Sequence, residues 1–556
     1  MRRPSAACRA TSSISRCRRR SPSTRPASAP SWRWYAPIAP ACWPPPHTPC
    51  SKWACACTMH ASPPSASAWK ISSKSPTGMT RPCPASSRKN CCRHCCGAWG
   101  MPRPAPEAKD LPCSRAVFDD AVMIAGWGAG MSKRWSDTGA TSNRIADVVS
   151  RRRWQLLAIA VLALAWALAA MRAIREPMLI GDELVHAAQI HDFLHGHFRV
   201  LPTLTNIPGY HLLVAGLLAL AGHDTLAAMR VVNMGFDLAC IGMFYLLRRG
   251  VDRSHAARAT AQFAFFPLLY PYGFLVYTDI LSVALVLAAL WATRGGRHVL
   301  SGGILLLALL VRQNDVVWAG FLASFALWPL LQETDWRPWR AGYRMLAIAW
   351  PYLAVVVLFV VYWAWNGTIV FSKPEALIHP DMSFHWGNPF FLLFVAGVLM
   401  PLQLIGGLRW FGREACRRYW PWLLPVIVLL VYVTGFKVDN FFNHVSPDYF
   451  IHNAVLVAVD GQRWAWLGFG LVATVAACAL AGTRFVLPQA WVLFPFAAFY
   501  LSASWLIDGR YTLIPLALWL ALRQQDGNVV ERTTLAGWVV LAQYLALGMS
   551  ARHFML

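Results

Sequence analysis

From Trp154 to Ser550 the sequence is a succession of apolar runs, many of them about as long as a bilayer is thick. A ~30 Å hydrocarbon core takes about 20 mostly apolar residues to cross as a helix. Lipid offers no hydrogen bonds, so each crossing segment has to satisfy its own backbone, and repeated runs of this kind imply a bundle of helices. With 56% apolar residues over 556 positions, the chain is too apolar for an ordinary water-soluble domain. The expected fold is an all-α multi-span membrane protein.

The first 130 residues do not share this pattern. They are rich in Arg, Ser, Pro and Ala, show no apolar period, and hold 12 of the 15 cysteines. Such a segment buries too little apolar surface to fold on its own. The cluster "CCRHCC" (Cys91 to Cys96) could be read as a metal knuckle, but two adjacent cysteine pairs this close together are not the pattern of a usual zinc site. A transit peptide shares the Arg and Ser bias, but not this length or this load of Cys and Trp. The preferred reading is a disordered or misassigned extension over 1–130, with Met131 as the natural start. Residues 131–153 then form a cytoplasmic lead-in and 154–550 the polytopic domain. Much of the net charge of +25 belongs to the extension, so it carries no argument for nucleic acid as a partner.

Lys and Arg collect in short cytoplasmic loops, which orients the spans. Arg151, Arg152 and Arg153 place the start of the first span, 154–172, inside. The piece 209–222 is too short to cross and is read as lying at the outer surface. Spans then follow at 227–247, 257–271, 279–293, 298–311, 315–331, 345–365, 388–408, 419–436, 464–482, 486–506, 510–523 and 533–550, giving eleven to thirteen in all. The inward loops hold Arg248, Arg249, Arg253, Arg294, Arg297, Arg337, Arg340, Arg344, Arg409, Arg413, Arg417, Arg418 and Arg484. The outward segments hold chiefly Arg199, Lys373, Lys437 and Arg510.

This threading puts nearly every unusual polar group on one face. "GDELVHAAQIHDFLHGHF" (181–198), "YTD" with Asp279, "VRQND" with Arg312 and Asn314, the loops 366–387 and 437–460, and Arg510 all fall outward. Charges at span ends are costly unless paired or wetted, so their shared side suggests a polar cavity there. Taken singly, each can also be read as a snorkelling anchor or a helix cap. His191, His195 and His197 do not share one helical face, so no metal site is expected from the histidines. Neither a GxGxxG, a Walker loop nor an H-E-x-x-H occurs, which removes the motifs for nucleotide-dependent and zinc-protease readings.

In order along the chain, "GDELVH", "HGHF", "IPGYHLL", "FPLLYPYGFLVYTD", "VRQNDVVWAGF", "WNGTIVFSKPEALIHP" and "DGRYTLIPLALWLAL" resemble the dolichyl-phosphate-glucose alpha-1,2-glucosyltransferases, over about 180 to 523. That family adds the terminal glucose to the lipid-linked oligosaccharide of protein N-glycosylation. The resemblance implies a GT-C class enzyme with a non-cytoplasmic active site, a polyprenyl-phosphate sugar donor, a glycan or lipid-linked acceptor, membrane lipid as its surroundings, and no cofactor. Two stretches depart from the family. Its late Asp-Asn-Arg-His-Tyr stretch is replaced by "FNHVSPDYFIHN" (Phe442 to Asn453), and the loop after Asn366 and Gly367 lacks the Ser-His-Glu continuation.

Converting a beta-linked glucosyl phosphate into an alpha-glucoside requires inversion, with one carboxylate taking the acceptor proton and cations stabilising the departing phosphate. Asp182 is the expected base and Glu183 the second choice, with helix capping as the competing role for Asp182. Arg312, Arg510, Lys373 and His379 are the expected phosphate clamp, Arg being favoured for its fork. His186, Asp279, Asn314 and Asn366 are the expected supporting polar groups. The rival class is a lipid or sugar transporter or flippase, although the inverted halves typical of such folds are not seen; an inactive relative is a third reading. The Ala, Arg and Trp content suggests a GC-rich bacterial gene, hence the plasma membrane; in a eukaryote the same topology implies the endoplasmic reticulum.

Overall fold

The computed structural model describes residues 153 and 155–555, apart from 333–337, 378, 382 and 445–451. The extension 1–130 and "CCRHCC" lie outside the described residues.

The described chain is helical, and its one extended pairing is an isolated bridge between Phe485 and Arg523. The helices are α1 (Gln155–Arg175), α2 (Glu183–Leu194), α3 (Gly209–Ala221), α4 (Leu226–Val251), α5 (Ala256–Ala264), α6 (Thr278–Arg294), α7 (His298–Val311), α8 (Val316–Leu331), α9 (Pro338–Asn366), α10 (Gly387–Leu399), α11 (Pro401–Arg417), α12 (Leu423–Gly435), α13 (Ala454–Gly461), α14 (Arg463–Leu480), α15 (Leu493–Ser502), α16 (Leu513–Leu522) and α17 (Asn528–Ser550).

Each expected span carries helix, but fewer than the expected eleven to thirteen are full crossings. Among the described residues, six helical stretches are long and apolar enough to cross a membrane, or seven when the bent pair α10 and α11 counts as one. Proline explains much of the shortening, because it lacks the amide hydrogen and disfavours helix in the residue before it. The run expected over 257–271 stops as α5 at Ala264, ahead of Pro267 and Pro271, and resumes as a 3-10 turn at Tyr270–Phe274. The run expected over 388–408 breaks at Met400 and Pro401, where α11 turns 106° away from α10. This is a multi-span integral membrane protein.

The centre of the bundle is α6, which packs against α4, α7, α8 and α16. An apolar surface on all sides is what a helix surrounded by other helices needs, and every residue of α16 is likewise buried. Close approaches are set by small residues. A Cβ on Gly407 would come within 2.0 Å of the Ala479 carbonyl oxygen, which fixes the crossing of α11 and α14.

The link from α1 to α2 is held by a buried arginine. Arg230, inside α4, donates to the carbonyls of Ala173, Glu176 and Met178 and pairs with Glu183 at 2.6 Å. A charge within a span is retained when paired and hydrogen-bonded, and here it anchors the start of α2. Gly181 makes the final turn with φ +59°, where a Cβ would also strike the Tyr277 hydroxyl. The side chain of Asp182 is thereby fixed at the edge of the bundle.

Candidate active site

A cavity of about 270 Å³ opens where α2, the start of α6, the α7–α8 junction and the segment before α16 converge. Its lining includes Asp182, His186, Thr203 to Asn206, Thr278, Arg312, Glu375, His379, Asn443, His452, Asn453, Asp508, Arg510 and Tyr511. These residues come from segments far apart in sequence, all of which the charge bias of the loops assigns to one side.

Asp182 occupies the N-cap position of α2, yet its side chain makes no capping hydrogen bond. It faces Arg510, whose Nη1 donates to Oδ2 at 2.5 Å, and its own amide donates to the Tyr277 hydroxyl at 2.8 Å. Roughly half of the Asp182 side chain remains exposed (49%). Burial pushes its pKa up, but the guanidinium of Arg510 outweighs this and holds the carboxyl below its usual range.

Arg510 is built into place by its own neighbour. Asp508 Oδ2 accepts from Nε at 2.8 Å and from Nη2 at 2.6 Å, while Oδ1 accepts from the Arg510 amide at 2.9 Å. Asp508 therefore fixes the fork so that Nη1 reaches the cavity. The guanidinium carbon lies 5.4 Å from the Tyr277 ring centroid, a cation–π contact. Arg312 forms the second cationic wall, ion-paired with Asp279 and 5.6 Å from the centre of the Tyr511 ring. The Nε of Arg312 and the Oδ2 of Asp279 have no hydrogen-bond partner among the described residues.

His186 lines the cavity one turn after Asp182. Burial lowers its pKa to about 4, against the opposing pull of Asp182, so the ring is neutral at physiological pH. Its Nδ1 lies 2.9 Å from Nε2 of the buried His211. His379 is also shifted downward by burial, with Arg510 adding to the effect.

Other expected site residues lie elsewhere. Glu183 is fully buried, bound by Arg230 and by the amides of Ile180 and Val276, both at 2.9 Å. Asp279 is buried behind Arg312. Lys373 is exposed on the 3-10 turn Lys373–Leu377, outside the cavity lining. Asn314 donates to the Tyr500 hydroxyl at 3.3 Å, and Asn366 donates to the carbonyls of Thr368 and Val370, shaping its own loop. Asp508, Tyr511 and Asn206 were not foreseen, although Asp508 stands in the "DGR" sequence two residues before Arg510. Among the described residues no three His, Cys, Asp or Glu side chains gather as metal ligands.

Asp182, His186, Thr278 and Arg312 all fall in one stretch with known relatives. Residues 176–338 match the DIE2/ALG10 family. The human Dol-P-Glc:Glc(2)Man(9)GlcNAc(2)-PP-Dol alpha-1,2-glucosyltransferase is 26% identical over 278 residues, 40% of this chain and 58% of its own length. The Arabidopsis thaliana protein of the same name is 23% identical over 475 residues, 66% of this chain and 88% of its own. The chain spans somewhat more than half the length of the mammalian relatives it matches. Among solved structures, ArnT from Cupriavidus metallidurans bound to undecaprenyl phosphate aligns at 17% identity, covering 72% of this chain and 76% of ArnT, with a TM-score of 0.33. The family match thus covers the segment that supplies Asp182, His186, Thr278 and Arg312 to the cavity wall.

Proposed function

We propose that the chain is a GT-C class glycosyltransferase that moves glucose from a polyprenyl-phosphate-glucose donor to a glycan or lipid-linked acceptor, with inversion, forming an alpha-1,2 linkage. The observation that carries this reading is the pairing of a half-exposed carboxylate, Asp182, with an Arg510 whose fork is pinned by Asp508, on the wall of a cavity that Arg312 also lines.

In this reading the donor phosphate binds between Arg510 and Arg312, each able to form charge-assisted hydrogen bonds to phosphate oxygens. Bond breaking turns a phosphodiester into a phosphomonoester dianion, and the two guanidiniums stabilise the added charge. The acceptor hydroxyl attacks the anomeric carbon from the opposite face while Asp182 removes its proton. A phosphate at Arg510 displaces Asp182 from Nη1, and the freed carboxylate turns toward the acceptor side of the sugar, where loss of its ion pair raises its basicity. Donor binding and activation of the base are coupled in this way. Residues 154–550 form the catalytic unit, and we place it in the plasma membrane if the host is bacterial and in the endoplasmic reticulum membrane if it is eukaryotic, with the cavity on the non-cytoplasmic side. Removal of residues 1–130 is expected to leave transfer intact.

The test is to incubate the purified protein with radiolabelled polyprenyl-phosphate glucose and a lipid extract of its host, then identify the labelled product. Alpha-1,2-glucosylated product from wild type, but not from Asp182→Asn, supports the reading. Movement of labelled donor across vesicle bilayers with no glucosylated product would favour a flippase.

A further inference from the structure

On the bundle face opposite the active-site cavity lies a second concavity. The chain crosses from one to the other twice: α14 starts shortly after the cavity residue Asn453 and ends just before Gly482, and α16 starts after Arg510 and ends just before Arg523. An outer groove is lined by Gly406, Arg409, Arg413, Arg417 and Arg484, with Cys416 on its wall. It shares Gly406 and Arg484 with an inner pocket of about 170 Å³ that reaches Gln403 and Arg523.

We propose that this concavity binds the headgroup of an anionic phospholipid, the phosphodiester in the outer groove and a headgroup hydroxyl in the inner pocket. Arg409, Arg413 and Arg417 stand four residues apart on α11 and so share one face, toward which Arg484 also lies. All four side chains are exposed, and none forms a hydrogen bond or ion pair with a described residue, unlike Arg418, which pairs with Glu414. Arg484 feels the carboxylate of Asp526, whereas Arg409, Arg413 and Arg417 have no hydrogen-bonded or ion-paired partner among the described residues, and a phosphate offers the group a shared counter-charge.

The inner pocket adds an independent observation. Gln403 and Arg523 are 6% and 3% exposed, and both line the pocket. The Oε1 of Gln403 and the Nε of Arg523 have no partner among the described residues. Buried polar atoms without partners are rare and costly. The pocket wall also carries Thr483, Gln524 and Gln525, whose hydroxyl and amide groups suit a headgroup hydroxyl. The carboxylate of Asp526 lies at the same pocket, which assigns the anionic group to the outer groove.

The depth of the groove argues for a lipid rather than a free anion. The 106° bend lays α11 across the end of the bundle, and Tyr419, Trp420 and Trp422 follow it with large exposed areas. Exposed Tyr and Trp clusters mark the headgroup level of a bilayer. This site is independent of the sugar-transfer reading.

The test uses the full-length protein in detergent and native mass spectrometry with phosphatidylglycerol or phosphatidylcholine. Preferential retention of phosphatidylglycerol is expected, falling about 5-fold for each arginine removed and about 25-fold in R413A/R484A. Peptide mapping of Cys416 alkylation gives a second readout on wild type, and phosphatidylglycerol should shield this thiol while inorganic phosphate does not. Equal retention of the two lipids, or equal shielding by inorganic phosphate, would overturn the proposal. These wild-type measurements decide it even if the double variant fails to fold.

Discussion

Asp182 and Glu183 are adjacent carboxylates with opposite surroundings. Glu183 is wholly buried and accepts from two nitrogens of Arg230 and two backbone amides, so its oxygens are saturated. Asp182 also pairs with an arginine, but only Oδ2 is engaged and half of its side chain faces the cavity. An ion pair alone therefore does not distinguish a structural carboxylate from a reactive one. What separates them is whether any oxygen is left for a substrate. The same contrast holds for their partners, since Arg230 spends its donors on the backbone of the α1–α2 link whereas Arg510 presents Nη1 to the cavity.

Two substitutions test this contrast directly. Asp182→Asn keeps the shape and removes the proton acceptor, so turnover should fall roughly 10²- to 10⁴-fold with donor KM little changed. Asn is a good N-cap, so near-normal transfer by a well-expressed Asn variant would remove Asp182 from the mechanism. Glu183→Gln should act on folding instead. Breaking one side of a fully buried pair leaves Arg230 uncompensated, at a cost of about 3–5 kcal/mol. A large drop in thermal stability, with the surviving protein still active, is the expected result; inactive protein of normal stability would exchange the roles of the two acids.

Protonation of His186 gives a third test. Its pKa falls from 6.5 in the open chain to about 4 in the fold, so the unfolded state binds the proton more readily. Stability from the neutral ring is complete above pH 6.5 and is lost as pH falls from there toward 4, on the order of 3 kcal/mol in all. His186→Gln should flatten that part of the stability profile. An unchanged slope in the variant would show that His186 is not held neutral.

Much of this arrangement was legible in the sequence. Apolar runs located the helices because lipid-facing helices have no alternative way to satisfy their backbone. The arginine bias of the loops then placed Asp182, Arg312, His379 and Arg510 on one side, where they do line one cavity. Helix ends were less legible, since Pro267, Pro271 and Pro401 signal a break but not the direction taken after it. The separate fates of Asp182 and Glu183 depended on Arg230, a charge hidden within an apolar run whose partners lie about 50 residues away. For Asn314 and Asn366, nearby hydrogen bonds decide where the side chain goes, and residue type carries no signal of that.

Asp508→Asn tests the pinning of Arg510. Loss of the carboxylate leaves the Arg510 fork less firmly held but keeps a hydrogen-bonding side chain of the same size. Donor KM should rise about 10-fold, with a smaller change in kcat, because phosphate contacts operate in both ground and transition states. A fall in kcat alone would mean that Asp508 acts on the reacting groups rather than through Arg510.

The smallest effect is expected at Lys373, where residue type and position disagree. Its ammonium was expected in the phosphate clamp, yet the side chain is exposed and outside the cavity lining, while Glu375 and His379 of the same loop are part of it. The loop is tied down on both sides of this contrast. The Phe371 amide donates to the Thr205 carbonyl at 2.8 Å, Ser372 hydrogen-bonds the Pro202 carbonyl, and the His379 amide donates to the Glu375 carbonyl at 2.9 Å. Turning Lys373 inward would break these ties. At most, an exposed cation near the cavity mouth can speed the approach of an anionic donor, a long-range effect that salt screens. Lys373→Ala should therefore change donor kcat/KM by no more than about 2-fold, with the difference vanishing at high ionic strength. A loss of ten-fold or more that persists in salt would mean that the loop refolds over bound donor, and Lys373 would then join Arg312 and Arg510 at the phosphate.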